Sequence, residues 1–385
     1  MPNLFESIKA VFNQTKQLAQ GFHVYHTPAG QDLQYRLHLR VEENGEGVLV
    51  VNASTILHLN QTATEYALGI IQDQPFDEIV KTITKRYNVP KSQAEIDLNR
   101  FQEQVMTLIN MPDLDPVTYL GMERQIPYTQ LSAPYRLDCA LTYRVSQGED
   151  ASAAPTARVE RELTTEEWKA IIKKAFEVGV PHLVFTGGEP TLRADLPELL
   201  AYAEELGLVT GLQSDGLRLS DISYVRNLIA NGLDHLTILL NPDNETLWEA
   251  LEQILKEDLH TTAHLTLTPG QDLIPAIDRL AKLQVNAVSL SAINEALAGE
   301  LDLLSDAVAF NQLELVWDLP VPYSRWNPIA LELPDAEEPK GAGNAWLYLE
   351  PDGDVLPAQG INRVLGNMLT DEWQIIWHNR SRETA

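Results

Sequence analysis

From about residue 135 to residue 291 the sequence alternates between short β-rich runs and helical runs. This limits the fold more than any other feature. Tyr135 to Val145 reads as a strand, and TTEEWKAIIKKAFEVG from Thr164 reads as a helix, with Glu167 three residues after Thr164 as a capping box requires. His182 to Thr186, Val209 to Ser214, His235 to Leu240, His264 to Thr268 and Ala287 to Ser291 are the further strands. Helices fall between them at Leu196 to Gly207, Ile222 to Asn231, Glu245 to Glu257 and Leu273 to Leu283. Such alternation predicts a mostly parallel α/β sheet with right-handed crossovers. About six strand-helix units are too few for a closed eight-stranded barrel, so a partial (β/α)6 barrel is expected, with its site at the C-terminal strand ends.

The flanks have other patterns. Residues 1 to 21 predict an N-terminal amphipathic helix, and residues 22 to 112 a separate module. In that module Tyr35 to Val41, Gly47 to Asn52 and Thr55 to Asn60 predict three short strands, and three helices follow. Asn60 is placed to cap the first helix, and Phe76, Ile79, Val80 and Ile83 give the second an apolar side. Strands followed by helices in this order make a winged-helix-like α+β module. The Pro-rich residues 113 to 134 predict a linker, leaving 135 to 312 for the barrel and 313 to 385 for a small C-terminal extension. That extension holds WLYLEPDGDVLPAQG, a hairpin pattern with Asp-Gly at its turn, and a last short helix within Leu369 to Trp377.

The net charge is -27, and nearly all of it lies beyond residue 112. Such a surface repels nucleic acid and anionic lipid, so neither is an expected partner. No run approaches the apolar length of a membrane span, and the N-terminus lacks signal-peptide features, so a cytoplasmic location is expected. The single cysteine, Cys139, excludes an internal disulfide or a multi-cysteine metal site within one chain.

The most suggestive stretch is LVFTGGEPTLRADL, Leu183 to Leu196. A buried strand ends in Thr-Gly-Gly-Glu-Pro and re-enters a helical pattern. Gly187 and Gly188 allow a close backbone approach, Glu189 offers a carboxylate to an ammonium, and Pro190 fixes the exit. A purely structural strand-to-helix turn, with Glu189 accepting local backbone hydrogen bonds, is the plainer reading.

With its preceding helix and strand, this stretch resembles the Gly-Gly-Glu-Pro motif of radical SAM enzymes, which holds the amino group of S-adenosylmethionine. GLQSDGLRL is similar to that family's next strand, with Ser214, Asp215 and Gly216 at the corresponding positions. The resemblance implies a cofactor cradle of Gly187, Gly188, Glu189, Pro190, Ser214 and Asp215. The N-terminal module resembles a PqqD-like RiPP recognition element, which takes a leader peptide as an added strand at its β-edge. The tail resembles a SPASM or twitch extension. These three parts in this order imply a peptide maturase.

The sequence departs from that family at its cluster ligands. Cys-x3-Cys-x2-Cys, aligned on Cys139, falls on Tyr143 and Ser146. The tail's expected cysteines fall on Lys340 and Ala358. Three thiolates hold a 4Fe-4S cluster that leaves one iron for S-adenosylmethionine. The expectation is therefore a catalytically degenerate radical SAM-like protein, a pseudoenzyme with no metal, no catalytic residues and no expected cofactor, although residual binding of S-adenosylmethionine stays open. It would bind a peptide or leader peptide through its N-terminal module and could pair with an active maturase. The alternative is an enzyme with repurposed, iron-free chemistry that binds S-adenosylmethionine or another metabolite at the barrel mouth. Cys139 is otherwise a core or strand-end residue. His58, His235 and His264 read as packed or hydrogen-bonded, and Trp346, Trp373 and Trp377 as core anchors of the tail.

Overall fold

The computed structural model describes residues 18–28, 30–31, 33–53, 55–111, 131–146, 159, 161–293, 295–316 and 341–380. The expected N-terminal helix and most of the expected linker lie outside these residues. The chain divides into two compact units, Met1–Ser132 and Ala133–Ala385.

The first unit holds one antiparallel sheet of β1 (Gly21–His26), β2 (Arg36–Val41), β3 (Gly47–Val51) and β4 (Thr55–Leu59), ordered as in the chain. Helices α1 (Gln61–Ile71), α2 (Phe76–Tyr87) and α3 (Lys91–Asn110) follow. Asn60 caps α1: its Oδ1 accepts from the Ala63 N–H at 2.9 Å. Leu39, Leu49 and Leu57 on alternate strand positions meet Ile79, Ile83, Leu98 and Phe101 from the helices in one core. β1 was not among the expected strands. Its residues, GFHVYH, are all half-buried or exposed, so they carry little of the apolar signal that marks the other three. β1 and β4 are the two edges of the sheet.

The second unit is built on a ten-stranded sheet. Six strands follow one another in space as in sequence, each parallel to the last: β5 (Arg136–Thr142), β6 (His182–Gly187), β7 (Val209–Ser214), β8 (His235–Leu239), β9 (His260–Leu267) and β10 (Ala287–Ala292). Between them run α4 (Thr165–Glu177), α5 (Leu196–Glu205), α6 (Ile222–Ala230), α7 (Glu245–Ile254) and α8 (Ile274–Leu283), and α9 (Ala298–Phe310) follows β10. This is the expected mixed α/β architecture with the strand order of a partial (β/α)6 barrel. The capping box at Thr164 and Glu167 is formed, so the start of α4 is fixed locally. Two features lay beyond expectation. α9 leads into β11 (Glu314–Leu315), which adds a further parallel strand beside β10. β12 (Trp346–Leu349) from the tail pairs parallel to β5, and the antiparallel β13 (Asp354–Leu356) and β14 (Gly366–Asn367) complete that edge. The β12–β13 hairpin turns at the Asp-Gly of the tail as its sequence requires. The last helix, α10 (Trp373–Asn379), begins later than the pattern suggested.

Side chains alternate across the sheet, so register fixes which face each one lies on. Ile238, Ala263, Leu265, Val288 and Leu290 pack with Trp248, Leu251, Ile277 and Leu280 of the helices. Paired positions extend this apolar face through Leu212, Phe185 and Cys139. The opposite face carries Thr186, Gln213, Thr237, Thr262, His264 and Ser289 among the apolar Ala140, Val184, Leu239 and Ala287, more polar groups than a parallel sheet usually buries.

At the start of β6 and β8, His182 Nε2 and His235 Nε2 lie 2.6 Å apart, with ring centroids 4.9 Å apart. One nitrogen must donate and the other accept, so the pair needs at least one neutral ring. Burial, with His260 and Arg136 nearby, holds His235 down at about 3. The unfolded chain takes up that proton near pH 6.5 and the folded chain does not, so stability is complete above pH 6.5 and falls as the pH drops towards 3. The unfolding free energy should decline across this window by at most roughly 1.4 kcal/mol per pH unit from this pair, read as a falling thermal midpoint. His235→Asn should flatten that slope in melts at pH 7.5, 6 and 5.

Candidate functional site

The Gly-Gly-Glu-Pro turn leaves the C-terminal tip of β6. Gly187 has a φ of +115°, a region that side chains other than glycine rarely enter. A Cβ there would collide with the carbonyl of Thr142, and one at Gly188 would collide with that of Arg144. Gly188 N–H donates to Thr142 O at 2.7 Å, and Glu189 N–H donates to Arg144 O at 2.7 Å. The two glycines therefore admit the chain's own backbone as it leaves β5, where sequence reasoning had reserved the space for a ligand.

Glu189 is buried, 1% exposed. Its Oε1 accepts from Thr191 N at 3.0 Å, Thr191 Oγ1 at 2.5 Å and Ser214 Oγ at 3.0 Å, and its Oε2 accepts from Asp215 N at 2.7 Å. Three of these bonds fall on Oε1 and one on Oε2, so most of its acceptor capacity is used from within. Burial and the neighbouring Asp215 carboxylate push Glu189 up to about 8, against the pull of these hydrogen bonds. Pro190 opens the short 3-10 helix Pro190–Leu192, and the Arg218 guanidinium donates to the Thr191 carbonyl and lies 4.2 Å over the Tyr224 ring. Arg193, which sequence reasoning passed over, donates to the carbonyls of Leu141 and Leu163 at 3.2 and 2.9 Å and pairs with Asp195 at 2.7 Å. Asp215 is half-buried. Its Oδ1 accepts from Leu217 N at 2.9 Å, and its Oδ2 takes no hydrogen bond from the described residues.

The positions aligned with cluster ligands do not converge. Cys139 lies in the middle of β5 with its side chain on the helix-packed face, opposite to Ala140. It is buried, and burial followed by the nearby Asp138 carboxylate pushes its thiol well above the ordinary range. Tyr143 lies past the strand end in a cluster with Ala140, Tyr348 and Leu356. Its hydroxyl donates to Glu350 Oε1 at 2.9 Å, and burial raises it far above its usual value. Ser146 is half-buried beyond it, and Ala358 is buried just after β13. Lys340 lies outside the described residues. β5 ends at Thr142, three residues sooner than expected, so alignment on the identity of Cys139 placed a strand residue in the role of a loop ligand. Sequence reasoning also missed Glu350, Asp352 and Asp354, whose carboxylate oxygens lie within 4.8 Å of one another. Asn367 Nδ2 donates to Asp354 Oδ1 at 2.9 Å, which makes them part of the hairpin turn.

Residues 139–241 match the family model described as the Radical SAM superfamily. Among solved structures, Streptococcus suis SuiB bound to S-adenosylmethionine is similar over 92% of this chain and 88% of that one, at 14% identity and a TM-score of 0.59. SuiB bound to its precursor peptide SuiA is similar over 94% and 88%, at 14% identity and a TM-score of 0.58. At such identity these likenesses show a shared fold and nothing further.

They also correct one expectation. The reading that no cofactor is to be expected does not stand, because the matched superfamily is one that binds S-adenosylmethionine and a 4Fe-4S cluster and a similar structure carries S-adenosylmethionine. The residues fit the two groups differently. For S-adenosylmethionine, the open Oδ2 of Asp215 can accept from an ammonium, whereas Glu189 already accepts four bonds from within the chain. For a cluster held by three thiolates the donor set does not fit, since the sequence contains one cysteine and it faces the helices.

Glu189→Ala would leave four donors without their acceptor at the tips of β6 and β7. It should destabilise the protein by about 2–4 kcal/mol, read as a lowered urea midpoint at unchanged slope. Glu189→Gln should cost less, because one amide oxygen still accepts.

Proposed function

We propose that this protein is the peptide-binding or scaffolding component of a RiPP-type peptide-modification system. It keeps a radical SAM fold and performs no cluster-dependent radical chemistry by itself. The observation that carries this reading is the donor set: a single cysteine, buried in mid-strand with its thiol held protonated. Without three thiolates there is no site for the iron that passes an electron to S-adenosylmethionine.

Two further observations support the peptide part. The fold is shared with SuiB, including a SuiB structure bound to precursor peptide SuiA. The N-terminal unit ends its sheet in β4, with alternating buried and half-buried residues at Thr55–Leu59. An edge strand of this kind can pair with an extended peptide through main-chain hydrogen bonds, while the half-buried Ile56 and His58 offer side-chain contacts. We read this unit as PqqD-like, the tail hairpin as SPASM-like, and an active maturase as the partner that would supply the missing chemistry.

The open Asp215 oxygen favours a second reading, in which the mouth of the sheet binds S-adenosylmethionine without iron. That cofactor would bring a transferable methyl or adenosyl group. The chain would contribute the Asp215 carboxylate to its ammonium.

Hydrogen exchange tests the peptide reading. On addition of a precursor peptide of the SuiA kind, the amides of Thr55–Leu59 should exchange more slowly. Unchanged exchange there, with the peptide in excess, would overturn it. Calorimetric titration with S-adenosylmethionine tests the second reading: binding that Asp215→Asn weakens by roughly tenfold supports it, since a charge-assisted hydrogen bond contributes about 1.5–3 kcal/mol. Anaerobic iron-sulfide reconstitution tests the degenerate part. A stable cluster on the isolated chain would remove that proposal.

A further inference from the structure

The polar face of the parallel sheet holds a side chain that the internal hydrogen bonding does not complete. Gln213, in the middle of the β7 C-terminal half, is 1% exposed. Its Oε1 accepts from Thr186 Oγ1 at 2.9 Å. Its Nε2 is fully buried and finds no acceptor. A buried amide nitrogen in this state is normally completed by a bound water or by a ligand.

The surroundings define what could complete it. Thr237 is its register partner on β8, and Thr262 is the partner of Thr237 on β9. Both are buried, and both present hydroxyl groups. One step nearer the strand tips, His264 Nδ1 lies 3.0 Å from Ser289 Oγ, and its Nε2 lies 3.0 Å from Ser291 Oγ and 3.2 Å from Thr266 Oγ1. Burial holds His264 down at about 4, so the ring is neutral near pH 7 and a weak base. The ring therefore joins these hydroxyl groups into a hydrogen-bonded row without adding charge. Among the described residues the only cation on this face is Arg136, at the far end of β5, and it is already paired with Asp138 at 2.7 Å. Glu350, near the β5 tip, accepts from Tyr143.

We infer that the row Thr186, Gln213, Thr237 and His264 forms a recess for an uncharged carboxamide group. Its carbonyl would accept from Gln213 Nε2, and its NH2 would donate to the threonine or serine hydroxyl oxygens. A carboxylate of the same shape would enter without a counter-ion beside an acidic rim and is rejected. The inference concerns the sheet face alone and stands apart from peptide capture at β4.

Nicotinamide and nicotinate, alike in shape and different in charge, serve as probes on the full-length ¹⁵N-labelled protein. With nicotinamide the Gln213 side-chain amide resonances should move and saturate. Nicotinate should bind at least about tenfold more weakly, as expected when a site built on hydrogen bonds meets the wrong partner. Gln213→Leu and Thr186→Val, each verified as folded by circular dichroism, should each weaken nicotinamide by a similar factor. Should Gln213→Leu not fold, the wild-type resonance still decides. Gln213 signals that stay fixed at the solubility limit of nicotinamide would mean that a water fills the recess, and would overturn the inference. Equal affinity for nicotinate, or unchanged affinity in folded Gln213→Leu, would overturn it as well.

Discussion

The unequal chemistry of the two faces of the parallel sheet governs what every site residue can do. One face buries Leu212, Phe185, Ile238, Leu265 and Val288 against the helices. Their transfer from water, worth roughly 25 cal/mol for each Å² removed, drives the sheet and helices together. Register then leaves no freedom to the neighbours. Once Phe185 is committed to the helices, Cys139 beside it is committed too, and Thr186 and Gln213 must face the other way. The thiol is therefore spent on packing, and the amide is left on the polar face with a buried nitrogen that no described residue satisfies.

The strand tips depend on a second tie. Glu189 gathers donors from the turn that carries it, from Thr191 and from the tip of β7. Gly187 and Gly188 let the departing end of β5 close in from the other side. Arg193 completes the knot by reaching the carbonyls of Leu141 and Leu163. A carboxylate held by four donors in a buried site is costly to empty, because each donor would then lack a partner that water cannot supply.

Much of this was legible in the sequence. The alternation fixed the parallel sheet, Thr164 with Glu167 fixed the start of α4, and Asp-Gly fixed the tail hairpin, because each rests on contacts within a few residues. Glu189 takes one local backbone hydrogen bond, from Thr191 N, and its other donors are the Thr191 hydroxyl and two groups at the tip of β7, which the sequence does not place beside it. Three things were not legible. β1 pairs across a long connection and carries a weak apolar pattern. The end of β5 is set by the hydrogen bonds of Gly188 and Glu189 to Thr142 and Arg144, a tertiary fact invisible from either segment alone. The orientation of Gln213 follows from pairing with strands that lie far apart in sequence. In LQS, flanked by buried positions on both sides, nothing in the periodicity says which face is which.

The presence of a recognisable turn and the absence of the cluster thiolates are physically compatible. The Gly-Gly-Glu-Pro turn is stabilised by bonds internal to the chain, so its persistence does not require that a cofactor be bound. The three thiolates of a cluster have the opposite character, since they serve the iron and contribute little to the fold without it. When the iron is no longer held, nothing in the packing resists their replacement, whereas replacing Gly188 meets the Arg144 carbonyl at once. A turn held by internal bonds and a strand with a single, packed cysteine can therefore stand together in one chain. The turn therefore identifies the fold, and the ligand must be argued from groups that the fold leaves unsatisfied: the outer oxygen of Asp215 and the amide nitrogen of Gln213.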